Sequence, residues 1–175
     1  MTREDTKRLL MTVEAIYPNY KIRDLQITLD AWCEILADQD AQFIFAALKN
    51  YSRTDTTGFA PSVGQLVQGA YELRTSKVKQ LTPSEAWNMV YKALCRATYY
   101  AEDDFAKFPE EVKKAVGSPS QLRAWGQDSS FNEGVASSNF RKAYSSVCER
   151  KKNDALMAPE IRIFLQQADV KSIEG

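Results

Sequence analysis

Residues 82–94 read TPSEAWNMVYKAL and carry the clearest structural signal in the chain. Thr82 suits the N-cap of a helix, Pro83 suits the first helical position, and Glu85 stands where a side chain returns a hydrogen bond to the cap. After this start, larger side chains recur at helical spacing, at Trp87, Val90, Tyr91, Leu94 and Thr98. The stretch therefore predicts an amphipathic helix with one face in a core.

The same pattern extends in both directions from this helix. Upstream, Ser62 and Gln65 repeat the capping spacing, and downstream a long helix is predicted from about residue 131 to residue 152. No segment of useful length alternates apolar and polar residues with a period of two, as a half-buried strand would. We therefore expect an all-α protein built from two small helical subdomains.

The predicted organisation has two domains and a tail. Residues 1–78 are expected to form an N-terminal four-helix bundle, and residues 79–153 a C-terminal helical domain. The polar, weakly patterned residues 75–81 predict a hinge between them. Residues 154–175 are expected to be a tail with a short amphipathic helix at residues 161–168. That helix suits either packing on its own bundle or binding in the groove of a partner.

Composition argues against several kinds of activity. The 23 basic and 23 acidic residues cancel, whereas a dedicated DNA-binding domain usually carries a basic excess. Histidine, the commonest general base, is absent. Residues 64–69 (GQLVQG) have the two glycines of a phosphate loop, but they are followed by Ala70 and Tyr71 and not by Lys and Ser or Thr. We therefore expect no enzymatic activity and no cofactor.

Metal binding and membrane insertion are also not expected. Cys33, Cys95 and Cys148 lie far apart and form no CxxC pair, so we interpret them as reduced, buried thiols in a cytoplasm. The longest apolar run, residues 43–48, is far too short to cross a bilayer. The acidic run 102–104 could hold a hard cation, but without an EF-hand pattern around it we expect the start of a short helix.

Candidate contact residues are basic or aromatic. The basic pair Arg141-Lys142 and the run 150–152 suit either phosphate contact, with Tyr144 stacking nearby, or a solvated helix face. Four phenylalanines lie near predicted loops or helix ends and would be interface candidates if exposed: Phe59, Phe105, Phe108 and Phe131.

Several motifs in the first half occur together in a known order. They are TKRLL (6–10), AIYPNY (15–20), LDAWCEIL (29–36), AALKNY (46–51) and FAPSVGQL (59–66). In these motifs the chain resembles the N-terminal domain of the small helicase loader and inhibitor proteins from phages of Gram-positive bacteria. The second half resembles the C-terminal region of phage replication proteins found with such a first half. Its motifs are EAW (85–87), FP (108–109), VGSP (116–119), LRAW (122–125) and ASSNFRKAY (136–144).

The resemblance implies a phage replication protein acting in the host bacterial cytoplasm. Such proteins bind a DnaB-type hexameric replicative helicase, load or inhibit it without their own ATPase, and help deliver it to an origin-bound initiator. Members of this family contact the helicase through their C-terminal part. The alternative is a DNA-binding helical adaptor or initiator accessory protein. Any nucleic-acid contact is expected to be weak or indirect, and no membrane partner is expected.

The second half therefore supplies the predicted site residues. Candidate contacts with the helicase are Trp125, Phe131, Phe140, Arg141 and Tyr144. Candidate phosphate contacts are Lys142, Arg150, Lys151 and Lys152.

Overall fold

A computed structural model describes residues 1–76 and 80–173 and confirms the all-α prediction. The described residues form ten helices and no strand. The helices are α1 (Arg3–Ile16), α2 (Leu25–Leu36), α3 (Ala41–Thr54), α4 (Val63–Thr75), α5 (Pro83–Leu94), α6 (Ala97–Ala106), α7 (Glu110–Val116), α8 (Pro119–Gln127), α9 (Glu133–Leu156) and α10 (Pro159–Ile173). Residues 77–79, in the predicted hinge, lie outside the described residues.

Local capping chemistry sets several helix starts. At α5, the Thr82 hydroxyl accepts from the Glu85 amide at 3.2 Å, and the Glu85 carboxylate accepts from the Thr82 amide at 2.8 Å. The same reciprocal pair forms between Ser62 and Gln65 at the start of α4. Each such cap stabilises a helix by about 1 kcal/mol relative to alanine at that position. The sequence patterns at residues 62 and 82 therefore mark real helix starts.

The chain divides into two compact units, one formed by residues 1–79 together with 156–175 and the other by residues 80–155. In the first unit, α3 packs on α4, α1 contacts α2 and α3, and α2 contacts α4. Its core is apolar: Leu9, Val13, Tyr17, Leu36, Ile44, Ala47, Leu48, Leu66 and Ala70. A Cβ built on Gly69 of α4 would lie 3.2 Å from the Cβ of Ala47 in α3, so this glycine permits the close helix contact.

The second unit packs α6 on α8, with α5 against both. Its core contains two rings in contact, Trp87 of α5 and Phe140 of α9, with centroids 5.5 Å apart. The other buried members are Ala86, Val90, Ala93, Leu94, Ala97, Ala101, Phe108, Val112, Val116, Leu122 and Tyr144. A Cβ on Gly126 of α8 would lie 2.9 Å from the Cβ of Ala97, so α8 and α6 meet at this glycine.

Helix α6 begins earlier than predicted. The acidic run 102–104 was expected to start a helix, but α6 starts at Ala97 and the run lies in its C-terminal half. That expectation is wrong because Asp104 has another function: it is buried and bound by Arg96, which a helix-dipole argument does not anticipate. Within the described ranges, no helix combines the length and the apolar character that crossing a membrane requires.

Candidate interaction surfaces

Phe140 and Tyr144 are core residues, and their prediction as partner contacts is wrong. Their side chains are only 2% and 3% exposed. Both lie on the face of α9 that packs into the second unit, with ring centroids 6.0 Å apart and nearly parallel planes. A partner could reach them only if this unit opened, so they determine stability and not recognition.

Tyr144 has a specific structural function. Its hydroxyl donates a hydrogen bond to the carbonyl oxygen of Leu81 at 3.0 Å, which ties α9 to the segment before α5. Burial, assisted by the neighbouring Cys148, raises the pKa of this phenol well above its usual value. The predicted stacking function of Tyr144 is therefore also wrong, because the ring is enclosed by its own unit.

The other predicted aromatic contacts are partly accessible. Trp125 and Phe131 are half-buried and pack against the second unit's core, and Arg141 is exposed on α9. Among the other phenylalanines considered, Phe108 is buried, Phe105 is half-buried and Phe59 is 70% exposed.

The basic residues of α9 are spread along the helix. Lys142 and Arg150 are exposed and Lys152 is half-buried. Eight residues separate Lys142 from Arg150, which is about 12 Å along a helix. Lys151 is paired with Glu111 of α7, and its hydrogen bond lowers the pKa of that carboxyl. The basic side chains therefore differ in environment and do not form one compact phosphate site.

A buried ion pair in the second unit was not predicted. Asp104 is 4% exposed, and its two carboxylate oxygens accept from Nε and Nη2 of Arg96 at 2.7 and 2.6 Å. The fork raises the pKa of Arg96. No sequence signal reveals the pair, since the eight-residue separation spans the break between α5 and α6.

An exposed apolar stripe runs along α2 in the first unit. Ile27 is 68% exposed and Ile35 is 51% exposed. With exposed Ala31 between them, they recur every four residues and define the α2 stripe. The opposite side of α2 buries Leu29 and Leu36, so this helix is apolar on two sides.

Helix α10 exposes a second apolar surface. Ile161, Phe164 and Leu165 are 53%, 68% and 44% exposed and define the α10 face. Their spacing of three and four residues is the one by which an amphipathic helix enters a partner's groove. Large exposed apolar groups at this spacing are typical of a recognition surface.

The described residues offer little for metal or nucleotide chemistry. Among them, no group of three or more His, Cys, Asp or Glu side chains is placed to hold a metal ion. Gly64 and Gly69 both lie inside α4 and not in a loop between a strand and a helix. Cys33 and Cys148 are half-buried, whereas Cys95 is exposed, contrary to the expectation that all three thiols are buried.

Comparison with known proteins gives a match for the N-terminal part of the chain. No curated protein and no solved structure matches it. A family model that describes the N-terminal domain of the phage gene 39 protein matches residues 1–67, which include α1 to α3 and the start of α4. This is the stretch whose motifs resemble phage helicase loaders and inhibitors. The first 67 residues are therefore similar to the N-terminal domain of the gene 39 protein, a phage helicase-binding protein.

Proposed function

We propose that this chain is a phage DNA-replication protein that binds a DnaB-type hexameric replicative helicase in the bacterial cytoplasm and loads or inhibits it. The observation that carries the proposal is the match of residues 1–67 to the N-terminal domain of the phage helicase-binding protein. The exposed apolar surfaces on α2 and α10 support it, because a binding protein needs apolar groups that it does not bury itself. An origin-bound initiator is the second partner that we propose.

The protein acts in this proposal without ATPase activity of its own. A loader of this kind changes the helicase only by binding one of its states more tightly than another. Moving an equilibrium from 1:99 to 99:1 in this way takes a difference of about 5.5 kcal/mol in binding free energy. Nucleotide hydrolysis by the helicase then drives the next step of the cycle.

The α10 face is the surface that we assign to the helicase. Its three side chains, Ile161, Phe164 and Leu165, present a continuous apolar strip. Burying one large apolar side chain contributes about 1.5–3 kcal/mol, so two of them account for a large part of a micromolar affinity. Arg141 and the half-buried rings of Trp125 and Phe131 remain secondary contacts in this proposal.

Size-exclusion chromatography with light scattering, on the chain alone and mixed with the host helicase, tests the proposal. We expect a complex at micromolar concentrations, and the Ile161→Ser/Phe164→Ser variant should bind at least tenfold more weakly, by about 1.4 kcal/mol or more. The matched control is Ile27→Ser/Ile35→Ser, which removes two similarly exposed isoleucines from the α2 stripe. No complex with the unmodified chain would refute helicase binding. Loss of binding in the control alone would move the contact to α2.

Two activity measurements complete the test. Phosphate release from ATP by the chain alone should stay at background, since we propose no ATPase activity for it. Strand unwinding by the helicase, with and without the chain, separates loading from inhibition: a loader raises the rate and an inhibitor lowers it.

A further inference from the structure

The second unit contains an open groove of about 710 Å³ between α5 and α6. Met89 and Phe108 contribute apolar surface to it, and three cationic side chains line it: Lys92, Arg96 and Lys107. We call it the α5–α6 groove. None of its lining residues belongs to α9 or α10, and the helicase contact proposed above does not use it.

Arg96 is held rigidly at this groove. Asp104, nine-tenths or more buried, fixes the guanidinium by two hydrogen bonds of 2.7 and 2.6 Å. The Arg96 side chain is nevertheless 60% exposed. A guanidinium has five N–H donors and the fork occupies two of them, so the others are available to an acceptor in the groove. An arginine fixed in this way is pre-organised to bind a phosphate oxygen.

The charge of the groove favours an anion. Lys107 lies 3.9 Å from the Asp104 carboxylate with a side chain 73% exposed, and Lys92 is exposed four residues before Arg96. The acidic lining residues are Asp104 and Glu85, and the Glu85 carboxylate accepts from the cap of α5. Three cations against two carboxylates leave a net positive charge here, in a chain whose formal net charge is zero.

Exposed aromatic rings lie beside these cations. The Arg96 guanidinium carbon is 6.0 Å from the centroid of the Tyr100 ring. Tyr100 has non-helical backbone angles (φ −122°, ψ 19°) and marks a kink in α6. Tyr99 is 83% exposed and Tyr100 is 53% exposed, whereas the rings of Trp87 and Phe140 in the same unit are buried. Exposed rings beside cations form the platform on which unpaired bases stack.

We propose that the α5–α6 groove is a binding site for single-stranded DNA. Lys92, Arg96 and Lys107 bind consecutive phosphodiesters, while Tyr99 and Tyr100 stack on the bases. Single strands fit better than duplex because a ring can stack only on a base that is not paired. The choice of DNA over RNA rests on the proposed function, since a replicative helicase encircles and exposes DNA strands. The site is distinct from the basic residues of α9.

Fluorescence anisotropy with a labelled oligothymidylate of about 12 nucleotides, titrated with the chain alone, tests the proposal. Affinity should fall with salt with a log–log slope of about −2, from three phosphate contacts at about −0.7 each. Lys92→Gln/Lys107→Gln should weaken binding at least tenfold and reduce the slope to about −0.7. The control is Lys7→Gln/Lys49→Gln, which removes two exposed lysines from α1 and α3 and should leave binding unchanged.

A second pair of variants tests the stacking. Tyr99→Ala/Tyr100→Ala should weaken binding by about tenfold or more, since one base stack contributes about 5- to 100-fold. Phe59→Ala, which removes an exposed ring from the first unit, should have no effect. Because Tyr99 is almost fully exposed, its replacement leaves the fold intact, and the far-ultraviolet circular dichroism should not change.

Several outcomes would overturn the proposal. They are equal binding by the unmodified chain and both groove variants, an equal loss in the lysine control, duplex DNA bound as tightly as the single strand, and oligouridylate bound more tightly than oligothymidylate. The helicase complex is measured separately on the same variants and should be unchanged. Failure of this proposal and failure of helicase binding are therefore distinguishable.

Discussion

Replacing Gly126 by alanine is expected to destabilise the second unit, although alanine is the better helix former. The added Cβ would lie 2.9 Å from the Cβ of Ala97 and 3.0 Å from the carbonyl oxygen of Leu94. Ordinary contacts begin near 3.4 Å, so α8 would have to move by about 0.5 Å from α6 and from the end of α5. Overpacking of this kind costs about 1–3 kcal/mol. The helix preference for alanine, up to about 1 kcal/mol, does not offset it.

Urea unfolding followed by tryptophan fluorescence measures this effect, because Trp87 and Trp125 both lie in the second unit. For a domain of this size, 1 kcal/mol also corresponds to about 4–8 °C in Tm. The control is Gly64→Ala in α4, where the new Cβ would lie 4.0 Å from the Ser62 hydroxyl oxygen, and a small gain in stability is expected. If Gly126→Ala were as stable as the unmodified chain, the close approach of α8 to α6 would be wrong.

Three further substitutions test the second unit. Phe140→Ala should cost about 3–5 kcal/mol in urea unfolding, as expected of a core ring; a loss below about 1 kcal/mol would mean that the ring is not buried. Tyr144→Phe should cost about 1 kcal/mol by removing the bond to Leu81. Because folding raises the pKa of Tyr144, its contribution is complete below the unfolded value near 10 and is lost as pH rises above it, so this variant should lose less stability in alkali. Folding lowers the pKa of Glu111, so its stabilisation by Lys151 is present above the unfolded value near 4.5 and is lost in acid; Glu111→Gln should flatten that acid dependence, and an unchanged profile would contradict the pair.

The sequence was sufficient where structure depends on neighbouring residues. The caps at Ser62 and Thr82 act over three residues, and helical periodicity identified the all-α fold. The apolar pattern of α9 also predicted which face is buried, and that face already included Phe140 and Tyr144. Their assignment as partner contacts was inconsistent with this pattern, and the structure corrects it.

What the sequence did not reveal depends on contacts between helices. The Arg96–Asp104 pair forms only because the chain bends between α5 and α6, so no helical spacing encodes it. The exposure of the α2 stripe was also hidden, since a helix with apolar residues on two sides looks fully buried in sequence. The preference for a binding surface over a catalytic one followed from composition, but the location of the surface required the packed units.

The exposed thiol of Cys95 makes the second unit accessible to site-specific labelling. Cys33 and Cys148 are half-buried, and Cys95 stands at the C-terminal end of α5, directly before Arg96. A maleimide dye should react there faster than at the other two positions. Attached one residue from the groove's fixed arginine, the dye would change its emission when a strand binds nearby, and energy transfer to a labelled helicase would report assembly in the same sample.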